Sequence, residues 1–458
     1  MHRLPHGVTR RLNRLDIGAD PTAPLDRIQS LLAHSPAEGA HLRLLPGVHR
    51  CGTLRLRSNL HLEIMPGAVL QCSPDRRDLE SWTSPEPSRM DPAPWKTFLV
   101  GSDLENIRLS GGGTIHGSGE ASDFQDGIEN SPARPYGIWL IRCRKVHLTD
   151  LHLRNSGFWM LRVFACQQVQ LHGLRIWNHA NRNNDGLDID SSQDVLISDC
   201  QIDSSDDALC LKSEGSAPCR NILIQNCILS SHASAFKTGS GSVGGFSNIV
   251  AANLIIRPSS SEIMKHPSCR WKGITGLNLA TTDGGPLRSV ILQNIAMEGV
   301  DNPLLLRLGN RLSGSGTRQG YASDSDHLQG VQGTKVGVPL KPDLRLEDVT
   351  IQNLVATDVG PYPAIVAGIL DYPVRRITLR DVTILSSRPG TKADLETPPS
   401  WRADMYPSRL MFQTCLPAYG LATAFTEDLV VDNFRAVPAE GEVRPARWDL
   451  ATESGYPQ

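Results

Sequence analysis

From Leu42 onward, apolar and polar residues alternate in short runs, the period of two that belongs to strands rather than helices. Leu42-Arg-Leu-Leu-Pro-Gly-Val-His, Thr53-Leu-Arg-Leu-Arg-Ser-Asn-Leu-His-Leu-Glu-Ile and Met65-Pro-Gly-Ala-Val-Leu are strands broken by Pro-Gly or Ser-Asn. One phrase then recurs: an apolar strand, a polar corner of Asp, Asn or Gly, and a second strand. It begins at Asn106, Val146, Val169, Val195, Ile222, Ile249, Val290, Leu344, Ile377 and Leu429. Between Val146 and Ile249 it returns every ~23 to 27 residues, within the range of solenoid repeats. An antiparallel sandwich also has many short strands but no reason to repeat one phrase in register, so the pattern predicts an all-β, parallel β-helix. Pro24 to His34 carries apolar residues at helical spacing and suits a short helix capping the open end of the solenoid. The expected organisation is an N-terminal arm and capping helix over 1–41, with the arm itself at residues 1 to about 20, a β-helix over 42–436, and a tail over 437–458. Two polar interruptions, 74–98 and 311–341, are too long for corners and are expected to wall a cleft.

Composition narrows the partners. The 458 residues exceed a usual compact domain, but a solenoid grows along one axis and can be a single unit. With 46 basic against 48 acidic residues and no basic block, nucleic acid is not expected. No apolar run approaches the ~18 to 20 residues of a membrane span, so no membrane partner is expected. No apolar stretch follows the basic residues at the N-terminus, which points to a cytoplasmic protein, or to a secreted or periplasmic one if a leader is removed. A monomer is expected. Cys143, Cys166, Cys200, Cys210 and Cys227 fall in apolar strand patterns and read as reduced core residues. No cysteine or histidine spacing suggests zinc, and no metal or other cofactor is called for.

Asp185, Asp188, Asp190, Asp206 and Asp207 change the picture, because they lie inside segments that otherwise read as buried strand. A desolvated carboxylate is costly unless it is partnered or has a task. Alone, Asn-Asn-Asp-Gly or Ser-Ser-Asp-Asp is an ordinary turn. Asp185 and Asp207, however, stand about one coil apart, and coils stack at ~4.7 to 4.9 Å. The carboxylates therefore converge on one face, where mutual repulsion separates their pKa values and equips them for acid and base work on a glycosidic bond. Sequence alone does not rank which acid does which task.

The order Asn183-Asn-Asp185-Gly-Leu-Asp188, then Asp206-Asp207-Ala-Leu-Cys-Leu-Lys212, then Gly239-Ser240-Gly-Ser, resembles the polygalacturonases of glycoside hydrolase family 28. The resemblance covers most of the chain. It implies a single-stranded right-handed parallel β-helix, hydrolysis of pectic galacturonan or rhamnogalacturonan oligosaccharides with inversion, and a carbohydrate substrate as the partner. It implies Asp206 as general acid, Asp185 and Asp207 as the groups that hold and deprotonate water, Asp188 as a residue that orients that set or contacts the sugar, and Asn183 near the sugar. Asp190 matches no acid of the motif and reads as a supporting residue.

Two departures bear on substrate. The family's Gly-His-Gly falls on Ala233-Ser234-Ala235; His232 is out of register and reads as solvated. The Arg-x-Lys pair that grips a uronate carboxylate is matched in letters by Arg270 and Lys272, but the buried pattern of the following coil places Asn278 and Ala280 there instead. Lys237 is either a substrate contact or a counter-charge, and Arg307 either reaches the cleft or lies on the surface. Trp159, Trp177 and Trp271 either stack on sugars or sit in the core. Short oligosaccharides cut from one end are the expected substrates. A lyase on the same fold and a non-catalytic glycan-binding rod are the alternatives; the lyase needs calcium or a basic residue as its base, and the rod has no use for convergent acids.

Overall fold

The computed structural model describes residues 14–88, 94–128, 130–263, 273–311, 342–399, 403–412 and 414–449. Across them the chain winds as a single-stranded, right-handed parallel β-helix. Its register follows the repeated phrase. Val146 pairs with Val169, and the column runs on through Val195, Ile222, Ile249, Val290, Val349, Ile377 and Leu429. All but Val349 open a copy of the phrase, and the inward apolar residues merge into one core from Ile17 to Leu421.

The corners explain the polar residue inside each phrase. Asn226, Asn253, Asn294 and Asn353 adopt φ of 57°, 57°, 57° and 52°, the left-handed region that Asn tolerates at low cost. Stacked in line, their carboxamides bond to one another at 3.0, 3.0 and 2.9 Å, so the same residues that turn the chain also tie coil to coil.

The ends differ from expectation. Arg14–Ile17, inside the segment read as an arm, is a strand paired in parallel with Ala40–Leu44, because Ile17 is buried beneath the first coil. The helix Arg27–Ala33 does pack Ile28 and Leu32 into the core. At the far end Arg447–Asp449, inside the segment read as a tail, extends the sheet through Leu421–Ala424. The insertion at 74–98 closes with Trp95–Ser102, a strand of that same sheet. Of 311–341, only Arg311 is among the described residues.

A further interruption, 387–420, was not foreseen. It carries the helix Lys392–Glu396, started by a reciprocal cap between Thr391 and Asp394, and lays Met411, Phe412, Leu416 and Ala418 over the outer face of Leu305, Ile365, Ala422 and Ala424. The nine described cysteines are free, eight of them buried. Among the described residues no helix is long and apolar enough to cross a membrane.

Candidate active site

The site lies on the outer face of the sheet that contains Leu161–Phe164, Leu187–Asp190, Leu209–Ser213 and Ser234–Ser242 as successive strands. At the leading edge of these strands the backbone stacks directly. Gly186 N donates to Asp207 O at 2.9 Å, and Ala208 N to Ser234 O at 2.9 Å. Asp185 and Asp207 therefore occupy adjacent coils. Asp185, Asp206 and Asp207 each bring a carboxylate oxygen within 4.8 Å of the others. Asp185 and Asp207 are buried, and Asp206 is the partly exposed member.

Buried amides hold the turn that delivers Asp185. Asn178 Nδ2 donates to Asp185 O at 2.9 Å, and Asn184 Nδ2 donates to Phe158 O at 2.8 Å. Arg134 donates to Asn183 Oδ1 at 2.8 Å and also to Arg182 O, so Asn183 anchors the turn through its side chain.

Two buried ammonium groups divide the acids. Lys237 Nζ lies 2.6 Å from Asp207 Oδ2, and Ser234 N donates to Asp207 Oδ1 at 3.2 Å. Burial opposes ionisation of Asp207, but Lys237, Lys212 and these hydrogen bonds outweigh it and hold the carboxyl below its ordinary range. Lys212 Nζ sits 3.6 Å from Asp185 Oδ2 and 3.3 Å from Asp188 Oδ1, with its ammonium 4.4 Å from the centre of the Trp159 ring. That is too little for both of its acids. Burial, with Asp188, Asp206 and Asp207 nearby, pushes Asp185 well above the usual carboxylate range, and burial pushes Asp188 up to about 7. Both lysines are held in the charged form: burial opposes it, and the surrounding acids prevail.

Several sequence expectations change here. Asp188 is 0% exposed with its Oδ1 3.3 Å from Lys212 Nζ, a buried place beside the acid set rather than an open one in the cleft. Asp190 is a supporting residue, paired at 2.6 Å with the fully buried Arg162 and accepting from Glu214 N at 2.9 Å. Arg307 is neither in the cleft nor on the surface: it is 1% exposed and donates to Gly368 O at 2.7 Å. His232 is buried, not solvated. Its Nε2 meets Ser261 O at 2.8 Å, and its ring packs edge-on at 5.3 Å against His179, which in turn bonds Asp203 at 2.9 Å. Lys237 is the counter-charge of Asp207.

Arg270, Trp271 and Lys272 lie outside the described residues. The register sets Asn278 beside Lys237 and Ala280 beside Arg307. Trp159 is buried with Trp95, Tyr136, Trp139 and Phe158, and the Trp177 ring lies tilted against His179 at 4.6 Å.

Two residues that contact the cluster had no role assigned from sequence. Lys212 could have been found, since strand alternation puts it on the same face as Cys210, Asp188 and Asp190. Tyr406 could not. It comes from the unforeseen interruption and meets Lys237 Nζ at 2.7 Å across 169 residues of chain.

The model of "Glycosyl hydrolases family 28" matches residues 85–315, the half of the chain that holds all these acids. The chain belongs to glycosyl hydrolases family 28. A protein described as "Probable polygalacturonase" of Arabidopsis thaliana is 24% identical over 302 residues, 64% of this chain and 57% of that protein. The exopolygalacturonase of Cochliobolus carbonum is 23% identical over 268 residues, 56% of this chain and 55% of its own length. The chain thus spans little more than half the length of these curated relatives. Among solved structures, the family 28 exopolygalacturonase of Yersinia enterocolitica superposes with a TM-score of 0.63 at 18% identity, over 91% of this chain and 75% of the other, a likeness of fold.

Proposed function

We propose that this family 28 member is an inverting glycoside hydrolase that cuts pectic oligosaccharides of galacturonan or rhamnogalacturonan type from one end. The observation that carries the reading is the charge division of the Asp185–Asp206–Asp207 cluster. Asp207 is held ionised by Lys237, while Asp185 sits where a proton is favoured, within 4.8 Å of Asp206. Such a cluster titrates as a unit, and in this reading its proton moves between Asp185 and Asp206.

On Asp206, the member open to the cleft, that proton is delivered to the glycosidic oxygen as the bond breaks. Water lies between Asp185 and Asp207. Asp207 orients it, and Asp185, then ionised, takes its proton as the oxygen attacks the anomeric carbon. Passing the proton from Asp185 back to Asp206 resets the site. The polygalacturonase names of the relatives support a pectic substrate. Asn278 and Ala280, in place of an Arg-x-Lys pair, remove a charge-assisted contact to a uronate and favour substrates with a neutral residue at that position.

The test is a panel of galacturonan and rhamnogalacturonan oligosaccharides, with products identified for the wild type, Asp206→Asn and Asp207→Asn. Each variant is expected to lose ~10² to 10⁴ in turnover while remaining folded. Near wild-type turnover in either would contradict the assignment, and an unsaturated uronide product would identify a lyase instead.

A further inference from the structure

We infer that Tyr406, carried by the segment 403–412, is a positioning residue that fixes the Lys237 ammonium against Asp207. This rests on the reading of Asp207 as the group that orients water. Lys237 is 4% exposed, and its Nζ donates to both Asp207 Oδ2 at 2.6 Å and the Tyr406 hydroxyl oxygen at 2.7 Å. The ammonium also lies 5.2 Å from the centre of the Tyr406 ring. A lysine has four flexible methylene groups, so a second fixed acceptor determines whether its charge stays on the first.

The segment that presents Tyr406 is itself fastened to the floor of the site. Asn278, the register neighbour of Lys237, donates to Pro407 O at 3.1 Å. Arg409, fully buried, pairs with Asp301 and lies 4.7 Å from the centre of the Tyr362 ring. The interruption at 387–420 therefore does more than cover apolar sheet: it reaches a catalytic carboxylate through one lysine.

The charged and titratable groups facing this pair are Asp185, Asp188, Asp206, Lys212 and Cys210 from the sheet, and Arg311 beside Tyr406, itself paired with Asp283. Burial raises the proton affinity of Asp207, and the two lysines lower it. Loss of Tyr406 weakens only the lysine side of that balance.

The experiment is a ¹³C NMR titration of the aspartate carboxyls in the full chain, with Asp207→Asn to assign the signal. In the wild type the Asp207 carboxyl is expected to titrate below its ordinary value. Lys237→Gln is expected to move it up by about one unit or more, as for loss of an adjacent opposite charge. Tyr406→Phe, which keeps the ring and loses only the hydroxyl, is expected to move it in the same direction by less. A Tyr406→Phe protein whose Asp207 titration is unmoved would overturn the inference, even if its melting temperature fell, because a purely structural tyrosine would change stability alone. The titration needs no substrate, so its failure is distinct from failure of the hydrolase reading, which an active Asp207→Asn enzyme would signal.

Discussion

Asp188 shows how one buried carboxyl ties site chemistry to stability. Its pKa is pushed from 3.8 up to about 7, first by burial, with Lys212 opposing. Between those values the folded protein keeps a proton that the unfolded chain has lost, so this group makes stability fall as pH rises from about 4 to about 7. Asp207 acts in the opposite sense: its depressed pKa contributes stability above the ordinary carboxyl value, which is lost as pH falls through the folded value. Asp188→Asn is therefore expected to flatten the decline in melting temperature between pH 4 and 7, as measured by calorimetry across that range; an unchanged slope would contradict the assignment. At this scale the sequence was informative about acids and poor on their partners. Asp185, Asp206 and Asp207 stand out because they lead directly into apolar strands, Leu187–Asp190 and Leu209–Ser213. The burial of His232 and Arg307 does not show in the letters, because it depends on what later segments lay over them.

Among the elements, the stacked strands Leu161–Phe164 and Leu187–Asp190 carry a buried ion pair under the aromatic wall. Arg162 bonds Asp190 at 2.6 and 3.2 Å, and its guanidinium lies 4.5 Å from the centre of the Phe164 ring and 5.2 Å from that of Trp159. Removing one partner leaves a buried charge uncompensated. Arg162→Leu is expected to destabilise the fold by about 3 to 5 kcal/mol, read from denaturant unfolding. A loss below about 1 kcal/mol, the worth of a surface pair, would show that the pair does not anchor the wall. The strands themselves were legible because a one-residue slip would turn every core residue outward, so the apolar column from Val146 to Leu429 admits a single register. The terminal strands Arg14–Ile17 and Arg447–Asp449 were not, being too short to show a repeat.

For the whole molecule, one face of the solenoid holds the acids between an aromatic wall built around Trp95, Tyr136 and Trp159 and the segment 403–412. On that side Lys237 and Asn278 donate to Tyr406 and Pro407. Action from a chain end, as proposed, is in keeping with that contact. Viscosity of a pectic polymer is expected to fall slowly while one small sugar is released steadily; a collapse in viscosity after a few per cent of bonds are cut would show internal cleavage. The β-helix was readable from its period, whereas this contact joins residues 169 apart and no local pattern announces it. The acids also sit closer together than the about 6.5 to 9.5 Å typical of an inverting pair, near the about 5 Å of retaining enzymes. Inversion is proposed because two of the three acids serve water while Asp206 serves the leaving oxygen, and because Lys237 and Ser234 N bond both oxygens of Asp207 and weaken it as a nucleophile. Proton NMR of the first-formed sugar, recorded before mutarotation, tests this directly. The account predicts the anomer opposite to that of the bond cut; the same anomer would mean that an aspartate attacks carbon and that the site works by a covalent intermediate.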